Sequence, residues 1–386
     1  MKKNSNFSIL FFASILQLVF GIIYVWSVFV APVSAYYSIP INEVKLTSSF
    51  MLSFFVLGIL LGGKWQKKIN VQNTVRLGGV LLSLGILLSA LLPQSLGKAL
   101  YFTYGMLSGF GVGMGYNAII STIQAHFSTN CGLATGISVC AFGFSTVLFT
   151  PLINWLLNLL GLRNTFLTLS VLFLISTLVL AQFIPQLESN NNNSSKFDDG
   201  TNLSPKEMLH TTAFYLITLS MMLGTAFFFI LNPSFKTLAL SKGLSEELAT
   251  VMIMLTGIGN ACGRLFFAWF SDKTTPHFAI STILLLTAVC GILLWLSSGI
   301  IVIVFVVLIA FCYGGTSGVY PLVTSHYFGI KNIGANYGCV MVGFASSALL
   351  FPFIFRNVSF NISAVILSIL ALLGMFLLQP IKNWKA

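Results

Sequence analysis

Charge is what this sequence has least of. Only 7% of its 386 residues are Asp, Glu, Lys or Arg, against about 25% in a soluble domain. None of the eight acids, Glu43, Glu188, Asp198, Asp199, Glu207, Glu246, Glu247 and Asp272, falls in the middle of an apolar run. Cation carriers and many proton-driven pumps hold their ion on a carboxylate at membrane depth, so this absence speaks against cation transport. The six cysteines form no Cys-x-x-Cys pair, and most lie inside apolar runs, where Cys acts as a small hydrophobe. A phosphate-cradling glycine loop and a nucleophile–base pair are missing as well. No disulfide, metal or cofactor is expected, and the chain does not read as an enzyme.

Apolar residues are there in abundance. They make up 56% of the chain, with 36 Phe and 33 Gly, and the mean hydropathy is +0.94. A lipid bilayer is the solvent that tolerates such a surface. Twelve runs near the required length of about 20 residues cover roughly 9–31, 47–64, 74–93, 98–123, 132–155, 164–184, 210–236, 246–269, 278–297, 299–323, 335–355 and 359–380. The first is too long for the apolar part of a signal peptide and reads as a span. The formal charge of +11 lies in short clusters between runs, which sets orientation rather than binding nucleic acid. Twelve cations flank one side and six the other, which predicts both termini in the cytoplasm and a multi-pass protein of the cytoplasmic (inner) membrane.

Residues 186–207, QLESNNNNSSKFDDGTNLSPKE, are polar and low in complexity, the composition of a mobile linker. They divide the chain into 1–185, a cytoplasmic linker 186–208, and 209–386. The two halves echo one another near an offset of 200 residues: AHF at 125–127 and SHY at 325–327, Gly136 and Gly338, Pro151 and Pro352. Two related six-helix bundles joined by a polar linker resemble the major facilitator architecture, an all-α membrane fold whose site lies between the bundles near the midplane.

Polar side chains in apolar runs are the candidates for that site. In GIIYVWSVFV, the helical period puts Gln17, Gly21, Tyr24 and Val28 on one stripe and points Trp26 almost the other way, onto lipid or a neighbour. Gly105, Gly109 and Gly113 form a close-packing face, followed by Tyr116 and Asn117. Tyr313, Thr316, Ser317 and Tyr320 lie in the tenth run, and Thr218, Thr225 and Asn232 share a face of the seventh. Arg264 is the one cation deep in a run, eight residues before Asp272 and so about 12 Å further in. It can grip a carboxylate with its planar fork, snorkel to the interface, or pair with a helix C-terminus. His126 and His326 hold matching positions at helix ends, which suggests a cytoplasmic gate.

GIIYVWSVF, GVGMGY, CGLATGISVCAFG, GNACGRLFFAWFSDK and YGGTSGVYPLVTSHYFGIKNIGANYG together resemble the oxalate/formate antiporter family, relatives of monocarboxylate transporters. The resemblance implies an aromatic cage with Tyr24, Tyr116 and Arg264 as members, and Tyr313 where the oxalate carrier has a Trp. It also shows departures: Ile23 for a Gln, Phe142 and Ser317 for Tyr, and Phe344 for the second cation, a Lys. Asp272 keeps the gating acid of the second half, while Lys67 replaces that of the first. One cavity cation matches one carboxylate. The implied function is secondary transport, by alternating access, of a small organic anion such as pyruvate, lactate or formate. Protons or a counter-anion are the implied coupling partners, and the carrier is expected to be a monomer. Export of a siderophore, drug or amino-acid-like solute, or a transport-dead membrane sensor, are the rival readings.

Overall fold

In lipid every backbone polar group must be satisfied within the chain, and this chain satisfies its own with helices. The computed structural model describes residues 6–127, 131–185, 202–329 and 332–381, and no strand occurs among them. Ten of the described helices are long and apolar enough to cross a membrane. One of these, Ala134–Phe183, reverses at Gly161, whose φ of 72° favours a residue without Cβ. A further rod joins Tyr101–Leu107 to Ser108–His126. The twelve expected rods are therefore present. They are α1 (6–37), α2 (Ile41–Ile69), α3 (Val71–Leu91), α4 (101–126), α5 (131–160), α6 (162–180), α7 (212–241), α8 (Glu246–Lys273), α9 (Pro276–Leu296), α10 (Ile301–Phe328), α11 (Ile333–Phe355) and α12 (Phe360–Phe376).

Three rods are not regular, and tertiary contacts account for the first. The α1 rod tightens into a 3-10 turn at Gly21–Tyr24. There α5 presses against it: the Ser145 hydroxyl donates to the Gly21 carbonyl at 2.6 Å, and a Cβ on Gly21 would run into Phe142 and Ser145. The α4 rod opens with a π-helical turn, Tyr101–Leu107. The α7 rod breaks at Asn232–Ser234, beside Pro233, which cannot donate to the ladder. Past the turn in α1, Trp26 points inward onto a neighbour and away from lipid. Its indole N–H donates to the Val44 carbonyl at 3.0 Å, and its ring lies 4.4 Å from that of Tyr104.

Glycines set how closely the rods approach. Cβ atoms on Gly109 and Gly113 of α4 would strike the α2 backbone at Met51 and Phe55, so that face of α4 is a packing surface. Across the two halves, α5 packs on α8 and α2 on α11. Asn154 donates to the Thr250 hydroxyl at 3.2 Å, and Ser53 donates to the Ala345 carbonyl at 3.0 Å.

The expected linker needs correcting at its end. Residues 186–201 lie outside the described residues, but the chain from Leu203 is built in. Leu203 N–H donates to the Phe328 carbonyl at 3.0 Å. Its own carbonyl accepts from the side-chain amides of Asn332 at 3.1 Å and Asn336 at 3.0 Å. Ser204 then caps the short helix Pro205–Leu209 in a reciprocal box with Glu207. Ser at the cap, Pro at the first helical position and Glu three residues after the Ser is a helix start signal, and here it outweighs the polar composition.

Candidate functional site

Arg264 lies between the halves and is only 5% exposed. It projects from the middle of α8. One turn earlier on the same helix, Asn260 accepts from its Nε at 3.0 Å. From the other half, the Tyr24 hydroxyl accepts from its Nη2 at 3.2 Å. Tyr24 is the last residue of the 3-10 turn in α1. Its hydroxyl also meets that of Tyr313 of α10 at 3.2 Å, so three hydroxyl- or guanidinium-bearing side chains from three helices converge. The phenols of Tyr116 and Tyr313 lie within electrostatic reach of the guanidinium.

Aromatic rings close the surroundings. The guanidinium carbon sits 5.9 Å from the Phe142 ring centroid, in range of a cation–π contact. Phe142 meets Tyr24 at 5.5 Å and Tyr116 at 4.9 Å. On the other side Tyr313 stacks on Phe228 at 3.7 Å. Phe344 packs on Phe229 at 4.7 Å and lies 6.3 Å from Tyr313. Phe55 bridges the halves, 5.9 Å from Phe142 and 6.4 Å from Phe344.

Among the described residues, the cage contains no negative charge. The two ion pairs among the described residues are Lys98–Glu43 at 2.8 Å and Lys236–Glu246 at 2.6 Å, both at helix ends. Every partner of Arg264 named above is neutral. A buried cation without an anion costs several kcal/mol, and phenol oxygens and ring faces offset only part of it. The arrangement can bind an anion. Among the described residues named above there is no nucleophile hydrogen-bonded to a base.

The sequence-selected residues divide accordingly. Tyr24, Tyr116, Phe142, Arg264, Tyr313 and Phe344 come together. Gln17 is buried beside them, and its Nε2 donates to the Tyr116 carbonyl at 3.4 Å. Asn232 is fully buried in the α7 break, and neither its amide nitrogen nor its oxygen has a hydrogen-bond partner. Tyr320 goes elsewhere: its hydroxyl meets Ser220 of α7 at 3.0 Å, joining α10 to α7. Asp272 is exposed at the end of α8 and in neither ion pair. His126 is half-buried at the end of α4, and His326 is exposed at the end of α10, against Tyr327. Asn260, Phe55, Phe228 and Phe229 were not singled out in the sequence. For Asn260 the signal was available, an amide four residues before the one deep Arg. Phe carries no such mark in a chain with 36 of them.

A family model described as Major Facilitator Superfamily matches residues 7–352. The chain belongs to the Major Facilitator Superfamily. Among relatives of this superfamily member is an uncharacterized transporter of the superfamily, YhjX from Escherichia coli, 24% identical over 347 residues that cover 87% of this chain and 84% of that one. The oxalate:formate antiporter of Oxalobacter formigenes is 23% identical, with 90% of this chain and 83% of that protein covered. Monocarboxylate transporter 13 of Bos taurus is 25% identical, with 78% and 69% covered. Among solved structures, the xylose transporter XylE from E. coli, in a partially occluded inward-open conformation, superposes with a TM-score of 0.72 over the whole of both chains at 14% identity. That likeness shows the fold. The superfamily member is a multi-pass membrane transporter and not an enzyme.

Proposed function

We propose that this transporter moves a small organic anion, a monocarboxylate such as pyruvate, lactate or formate, by alternating access between its two halves. One observation carries the reading: Arg264 is buried between the halves with neutral partners only, so a single carboxylate completes its charge. The fork of Arg264 grips the carboxylate, Tyr24 and Tyr313 donate or accept beside it, and the rings of Phe142, Phe228 and Phe344 limit the size of the rest of the ligand. With Phe344 in place of a second cation, a dicarboxylate would leave one charge unmatched. The relatives named for oxalate, formate and monocarboxylates support the same class. The Lys and Arg distribution supports cytoplasmic termini in an inner membrane. The two halves, 1–185 and 209–386, are the rocking bodies, within one monomer. Protons or a counter-anion travel with or against the substrate.

Thermal shift of the purified protein against formate, lactate, pyruvate and oxalate, then uptake of each hit into proteoliposomes, tests this. Stabilisation and uptake by monocarboxylates, with oxalate weaker and an organic cation such as choline inert, is the expected pattern. A folded preparation that neither binds nor moves any of the carboxylates would sink the reading.

A further inference from the structure

The face opposite the termini carries a second feature that the cage does not need. A cavity of about 310 Å³ opens between the start of α2, the end of α7, and the turn from α11 to α12. Two cations line it, Lys45 and Arg356, and no acidic side chain does. The acids of this face have other partners. Glu43, two residues from Lys45 on the same helix, is paired with Lys98 at 2.8 Å. Glu246 is paired with Lys236 at 2.6 Å. Glu247 is held by Ser245. Lys45 is half-buried, between the buried Val44 and Leu46. A Lys held partly out of water with no counter-charge is unfavourable, and Lys45 and Arg356 have no ion-pair partner among the described residues.

The walls between them favour the same kind of ligand. Phe360 and Ser363 bring the first turn of α12 to the cavity, and no side chain caps that helix start, so its free N–H groups add to the positive potential. Ser234 and Thr237 supply hydroxyls from α7. Cationic walls around a low-dielectric cavity focus the field on an entering anion.

We propose that this cavity is a second oxyanion site, separate from the Arg264 cage, in which Lys45 and Arg356 together hold one carboxylate or phosphate group. The occupant is either a dissolved carboxylate or the headgroup of an anionic lipid. It goes beyond the transport reading, because it stands whether or not the cage carries anions. Where the occupant is the dissolved carboxylate, Ile230 lines the cavity next in sequence to the cage residue Phe229, so the cavity would raise the local supply of substrate at the mouth.

The test follows the Lys45 amine. The full chain, in nanodiscs of phosphatidylcholine, is treated with an amine-acylating reagent, and Lys45 and Lys98 are quantified by peptide mass spectrometry. Pyruvate is expected to slow Lys45 acylation roughly three- to tenfold, with Lys98 unchanged and with chloride at equal ionic strength ineffective. The protection should persist in Arg264→Ala and weaken in Arg356→Gln. If phosphatidylglycerol protects Lys45 without pyruvate, the site holds and its occupant is a lipid headgroup. Acylation unaffected by either anion, or protection that chloride matches, would overturn the proposal. Protection that vanishes in Arg264→Ala would also overturn it, by assigning the effect to the cage. Loss of pyruvate uptake with protection intact would instead tell against the transport reading alone.

Discussion

At the scale of the residue, Arg264 and Asn260 are where the proposed chemistry is tested. Arg264→Ala removes both charge and fork. Charge-assisted hydrogen bonds contribute about 1.5–3 kcal/mol each, so substrate binding should weaken at least about tenfold, with Arg264→Lys between Ala and wild type. Fluorescence size-exclusion establishes that each variant folds before titration. Asn260→Asp is the sharper change. It places a permanent carboxylate 3.0 Å from Arg264 Nε, where the substrate's charge is wanted. Pyruvate binding should be abolished while thermal stability is kept or raised; transport at wild-type KM would show that Arg264 does not hold the substrate. Phe344→Lys should shift competition toward oxalate, read as the ratio of oxalate to pyruvate inhibition of uptake. Tyr24 and Arg264 were legible in the sequence because a polar group in an apolar run is conspicuous. Phe228 and Phe229 were not, because an aromatic residue at a site and one in a core are spelled alike.

At the scale of the element, the helices were legible, and Asn232-Pro233 marks a break in the sequence as it does in the structure, but the 3-10 turn of α1 was not legible. Length and hydropathy mark a rod, whereas the 3-10 turn at Gly21–Tyr24 depends on Ser145 reaching across from α5, a contact between residues 124 apart in sequence. Of the two surroundings expected for Trp26, lipid or a neighbour, the structure gives the neighbour. The α7 break holds a testable conflict between stability and use. Asn232 is 0% exposed with both amide atoms unpaired, and each such atom costs about 1–3 kcal/mol. Asn232→Leu should therefore raise the melting temperature, and it should lower uptake if the amide finds its partner in another state of the cycle. A gain in stability with unchanged uptake would make Asn232 a passive feature of the break. The Ser204–Glu207 box shows how a short cap escapes notice inside a polar stretch. The backbone N–H and hydroxyl of Ser204 hold the exposed Glu207 carboxyl below its usual range. The box should therefore be intact above the ordinary Glu value of about 4.3 and be lost as pH falls through the lower folded value. Hydrogen exchange at 203–209, corrected for the intrinsic pH dependence, should show protection falling there in acid.

At the scale of the whole molecule, the repeat and the count of twelve runs were enough to read two bundles, while the contact of α5 on α8 and α2 on α11 came only with the structure. Asp272 belongs to this scale. It is exposed and in no ion pair among the described residues, and its proposed gating role is open to test. Asp272→Asn should leave equilibrium binding unchanged and slow uptake; a large loss of affinity at unchanged turnover would contradict a gating role. The uncompensated Arg264 has an electrical consequence as well. On the proposed reading an empty cage holds one uncompensated positive charge within the bilayer, whereas a cage loaded with a monocarboxylate holds none. The membrane potential then leaves the loaded step alone and acts on the return of the empty carrier, by a fraction of the about 2.3 kcal/mol per 100 mV that a charge crossing the whole field would feel. On the proposed reading the empty, charged cage reorients more slowly than the neutral loaded one, and the carrier is expected to run faster as an exchanger than as a one-way leak. Proteoliposomes preloaded with pyruvate should take up labelled pyruvate faster than they lose it to an empty bath, and a potassium diffusion potential should alter the loss far more than the exchange.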